Sequence, residues 1–122
     1  MKFIKGQQCA KNIRVHKLLM YYGLRPNRLI PHVSDEWHPG YPPFVIGDAW
    51  IYAKTLTCVG TIHWTPRQKK AIIKSENPIF AVVFTSDYLK HCLQKIELDE
   101  KDHVICKDPT KEDLEALKLN TN

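Results

Sequence analysis

Six consecutive apolar residues, Ile79-Phe80-Ala81-Val82-Val83-Phe84, constrain the fold of this chain more than any other segment. The run has the length of a strand, and falls far short of the roughly 20 residues that a membrane-spanning helix needs. Side chains along a strand point alternately to the two faces of the sheet, so a run apolar at every position buries both faces. Residues 79–85 therefore read as a central strand. At 122 residues the chain has the size of one domain. The expected fold is an α/β or α+β single compact domain, 1–122, with a mixed sheet around strand 79–85 covered by helices.

The elements around that strand follow from punctuation and periodicity. Phe3-Ile4 reads as a short edge strand. Residues 8–22 read as a helix on the spacing of Cys9, Ile13, Leu19 and Met20, with Gly23 as its C′ residue and Pro26 barring continuation. Leu29-Ile30 and Val33 form a brief extended piece. Residues 34–43 hold three prolines and a glycine, so they form a loop, one that also carries Trp37, His38 and Tyr41. Phe44-Val45-Ile46 is a strand closed by Gly47. For residues 49–59 we take a helix capped by Asp48, with a strand alternating Trp50, Tyr52, Leu56 and Cys58 as the open alternative. Thr61-Ile62-His63-Trp64 is a short strand. Thr65-Pro66-Arg67-Gln68 is a helix start with Thr as N-cap, Pro at the first position and Gln completing a capping box. A second helix is expected over 87–96 with Leu89, Leu93 and Ile96 inward, then a strand over 103–107. A last helix follows Asp108-Pro109-Thr110 with Leu114 and Leu117 inward, and residues 120–122 fray.

Charge is distributed unevenly. The chain carries 18 Lys and Arg against 13 Asp and Glu, a net +5. Residues 1–34 contain seven of the positive charges and no acid, whereas residues 71–122 contain seven Lys against ten acids. A basic third joined to an acidic third suits a polyanionic partner, or pairing with acidic segments of the same or a neighbouring chain. The N-terminus has no apolar leader segment, so a cytoplasmic, reducing setting and free thiols are expected for Cys9, Cys58, Cys92 and Cys106. Their mostly apolar neighbours predict raised thiol pKa values, which argues against a nucleophilic role.

Most catalytic chemistry lacks its motif. No GxSxG, GxxxxGK[ST] or GxGxxG pattern is present. The His and Cys groups (His32 with His38, Cys58 with His63, His91 with Cys92, His103 with Cys106) do not have zinc-ligand spacing, so neither a metal nor another cofactor is expected. Asp87 followed by Asp99-Glu100-Lys101 matches the letters of a metal-dependent nuclease. There, carboxylates hold Mg²⁺ and a lysine orients water. Asp87 is placed in the first turn of a helix, however, and the triplet in a charged turn.

The remaining signal is a binding surface. Lys11, Arg14 and Lys17 recur at three-residue spacing along the first helix, and Arg25 and Arg28 follow it, with Tyr21 and Tyr22 between. Arg67, Lys69, Lys70 and Lys74 decorate the capped helix. Phosphates call for Lys and Arg, and unstacked bases for aromatic platforms. The expectation is a small non-enzymatic intracellular protein docking on a nucleic acid or nucleoprotein assembly. Its size and composition suit an accessory protein of a virus or mobile element. Two alternatives stand beside it: a protein-binding inhibitor or adaptor using Trp37, His38, Tyr41 and Trp64 as anchors, and the nuclease.

Overall fold

The structure, a computed structural model, describes residues 10–26, 28–29, 40–87 and 89–119, with backbone alone for 10–12 and 28–29. The expected strand at Phe3-Ile4, Cys9, the sites Trp37 and His38, and the frayed end 120–122 lie outside the described residues.

Helix α1 (Ala10–Tyr21) is followed by strands β1 (Arg28–Leu29), β2 (Phe44–Ile46) and β3 (Ala49–Thr55). Helix α2 (Pro66–Lys74) connects β3 to β4 (Ile79–Phe84), and β5 (His91–Leu98), β6 (Val104–Lys107) and helix α3 (Lys111–Leu119) complete the chain. The six strands lie in chain order in one sheet. All neighbours are antiparallel except β3 and β4, which run parallel because the chain crosses over through α2. This is the mixed α+β sheet expected around strand 79–85, and every residue of β4 is buried.

Two apolar clusters sandwich the sheet. On one face Ile51, Ala53, Phe80, Val82, Phe84 and Leu93 pack against Val15 and Leu19 of α1 and Leu117 of α3. On the other, Tyr52, Ile79, Ala81, Val83 and Ile96 pack against Ile72 of α2 and Trp64. The helix ends follow their sequence signals. Gly23, at φ 79°, closes α1, with Leu24 N–H donating to Leu19 at 2.8 Å and Gly23 N–H to Met20 at 3.0 Å. Thr65 and Gln68 form the expected reciprocal box, both bonds at 3.1 Å. Thr110 and Asp113 form a second box at the start of α3.

Three expectations are corrected. Residues 49–55 are a strand, and the helix expected over 49–59 does not form. Ile46 pairs with Ala49 across a two-residue turn in which Gly47 has φ 60°, so Asp48 sits in a hairpin turn and caps nothing. Residues 91–98 are also a strand, in place of a helix over 87–96. Leu93 and Ile96 are three apart and both buried, as on a helix, but they enter opposite faces of a sheet covered on both sides. Leu89, expected inside, is 80% exposed in the turn that Thr85 and Asp87 organise. The expected strand 61–64 reduces to one pairing between Leu56 and Ile62.

Candidate nucleic-acid interface

The sheet separates the two basic groups read from the sequence. Arg14, Lys17 and Arg25 are exposed on or just after α1, which covers the first face. Lys11 and Arg28 fall in described elements, but their side chains lie outside the described residues. Arg67, Lys69, Lys70 and Lys74 are exposed on α2, across the sheet on the second face. The groups do not form one continuous stripe.

The α2 group gathers aromatic company. Ala71 and Ile72 bury the inner side of the helix, which turns the four cations outward. Where α2 ends at Ser75 the chain turns through Asn77 and Pro78 into β4, and Trp50 N–H of the adjacent β3 donates to the Pro78 carbonyl at 2.8 Å. Trp50 is thereby fixed beside the end of the helix. Tyr41 arrives from the other side. The buried Tyr52 hydroxyl donates to the Gly40 carbonyl at 2.7 Å, and Gly40 rests against the backbone of Arg67 so closely that it has no room for a side chain. Burial pushes the Tyr52 hydroxyl far above its ordinary pKa of 10.0, so it stays protonated and keeps donating. The Tyr41 and Trp50 rings lie 5.5 Å apart, tilted by 53°. Together with Lys70, Lys74, Glu76 and Asn77 they line an open cavity of about 440 Å³.

Trp64 belongs elsewhere. It is only 6% exposed, stands edge-on to Tyr52 at 5.3 Å, and receives the Lys54 ammonium 4.8 Å above its ring. Lys54 is itself buried and donates to Gln68 Oε1 at 2.8 Å, the same oxygen that completes the cap of α2. Trp64 is therefore core, in place of the partner-facing anchor expected. Tyr41, by contrast, is 37% exposed and reaches the surface. Trp50 is the site residue that the sequence reading left out. Its signal was the Gly47-Asp48 hairpin turn, which makes a strand of the segment after it.

The other chemistries find no assembled site among the described residues. Asp87 lies in the turn before β5 and Asp99 in the turn after it. The eight residues of β5 hold the two carboxylates roughly 25 Å apart, too far to share one ion. Asp87 accepts from the Thr85 hydroxyl and the Leu89 N–H, and Asp99 from the His103 and Lys101 N–H groups. These bonds hold both carboxyls below the usual carboxylate value. His63 and His103 line a common cavity of about 270 Å³ with Lys69 and Asp102, but no described group of three or more His, Cys, Asp or Glu is placed to hold a metal. Cys92 and Cys106 line an apolar cavity of about 400 Å³ with Leu56, Ile62, Val83 and Val104. Burial pushes both thiols up, the direction expected from their neighbours. Cys58, Cys92 and Cys106 are unbridged. No described helix is long and apolar enough to cross a membrane.

No protein-family model matches the chain, and comparison with curated proteins and with solved structures finds no match.

Proposed function

We propose that this is a non-enzymatic binding protein that docks on a nucleic acid or nucleoprotein assembly inside the cell, through the outer face of α2. The observation that carries the reading is the cavity at the end of α2, where Lys70 and Lys74 stand beside the rings of Tyr41 and Trp50. Arg67 and Lys69 extend the positive surface along the same helix. Phosphate contacts supply most nucleic-acid affinity, and aromatic rings take the bases. Binding of a labelled oligonucleotide across a salt series tests the proposal. Log K should fall linearly with log salt. Replacing Arg67, Lys69, Lys70 and Lys74 with Gln should flatten the slope by about 2 to 3, at roughly 0.7 per phosphate on a single strand.

A protein partner is the second reading, favoured by the apolar and aromatic residues exposed on α1. Ile13 and Met20 are exposed there, and Tyr21 is 78% exposed. An interface anchored on such residues would be far less sensitive to salt.

A further inference from the structure

We infer that the cavity between α2 and β3 is a stacking subsite for one unpaired base, so that the protein selects single-stranded over double-stranded nucleic acid. The inference rests on the nucleic-acid reading above and specifies its substrate. A base between two flanking rings needs roughly the stacking distance of 3.4 Å on each side, or about 7 Å in all. Tyr41 and Trp50 are 5.5 Å apart and tilted by 53°, so no base enters between them. Both residues line a cavity of about 440 Å³, which falls within the size range of small-ligand sites. A base therefore lies against the ring surfaces that face the cavity.

The cations set the path of the backbone. Lys70 and Lys74 are four residues apart on α2, about 6 Å along the helix axis. They border the same cavity as the rings, so a base on the rings puts its neighbouring phosphates within reach of both ammonium groups. A duplex hides the faces of its bases in the stack and cannot use the rings, whereas a single strand offers them. Glu76 is the one acid among the residues lining the cavity. Its carboxylate opposes the phosphates there, so its removal should tighten binding.

Fluorescence anisotropy with four probes tests this: a labelled single-stranded DNA oligomer, an abasic oligomer of the same length, the matching duplex, and single-stranded RNA. The wild type should bind the base-bearing single strands about 5- to 140-fold more tightly than the abasic oligomer, the range expected from stacking one base. Tyr41→Ala should close most of that gap without changing the salt slope, and Glu76→Gln should tighten binding several-fold. Trp50→Phe, which keeps a ring, should leave part of the preference. Equal affinity for abasic and base-bearing strands, or tighter binding of the duplex, would overturn the subsite while leaving the nucleic-acid reading standing. Absence of salt-sensitive binding to all four probes would overturn both.

Discussion

Gly40→Ala is expected to damage both the fold and the site. A Cβ placed at Gly40 would stand 2.6 Å from the Arg67 carbonyl carbon, closer still to its oxygen, and 3.1 Å from the Gln68 nitrogen. All three are backbone atoms of the first turn of α2. That turn is pinned by the Thr65–Gln68 box and, through Gln68, by buried Lys54. No side chain can swing aside, so the 40–43 segment and α2 must move apart. Overpacking of this kind costs about 1–3 kcal/mol. Separation also strains the buried bond from Tyr52 to the Gly40 carbonyl, whose loss would cost about 1–3 kcal/mol more. With relaxation sharing part of each, a net loss of about 2–4 kcal/mol is expected, against total stabilities of about 5–15 kcal/mol. For a chain of this length that lowers Tm by about 8–20 °C. Thermal unfolding followed by circular dichroism reads the change. A Tm within 2 °C of the wild type would refute the close approach of Gly40 to α2, and with it the placement of Tyr41.

Two other perturbations probe the same structure. Val82→Asp puts an unpaired carboxylate at a position with no solvent exposure in the middle of β4, at a cost of several kcal/mol, and should leave the chain unfolded by circular dichroism at 25 °C; a native spectrum with an unchanged Tm would contradict the central strand. The carboxyls of Asp87 and Asp99 are held below the ordinary value of 3.8 by hydrogen bonds to their charged forms, so their stabilisation is present above that value and is lost as pH falls through the lower folded-state pKa. Urea midpoints measured from pH 6 to pH 2 should therefore fall below about pH 4, and Asp99→Asn should remove part of that acid limb; an unaltered limb would contradict the turn geometry.

The parts of the fold legible in the sequence were those with an unambiguous local signal. Ile79–Phe84 could only be a doubly covered strand, Thr65-Pro66-Arg67-Gln68 could hardly be other than a helix start, and Gly23 ended α1 as its left-handed backbone requires. The two strands read as helices failed for different reasons. Residues 49–55 do carry a two-residue alternation, but Asp48 also reads as a helix cap. In β5 the two buried residues, Leu93 and Ile96, enter opposite faces of a sheet covered on both sides, so their three-residue spacing mimics a helix. The first of these errors hid Trp50, because a helix over 49–59 does not lead it to the end of α2. Lys70, Lys74 and Tyr41 were legible as residue types, but their convergence was not. It depends on the crossover that brings the end of α2 beside the start of β3, and on Gly40 docking against α2. The partition of the basic residues between two faces was likewise hidden, since linear charge density says nothing about which side of a sheet a helix covers.

On the proposed function, nucleic acid docks on the α2 face beside its cavity. The most direct measurement compares salt slopes for a single-stranded oligonucleotide among three proteins: the wild type, a variant with Arg67, Lys69, Lys70 and Lys74 changed to Gln, and a variant with Arg14, Lys17 and Arg25 changed to Gln. The slope should be flatter by about 2 to 3 for the α2 variant and near that of the wild type for the α1 variant. A flattened slope in the α1 variant with an unchanged one in the α2 variant, or no salt-sensitive binding by the wild type, would contradict docking on the α2 face.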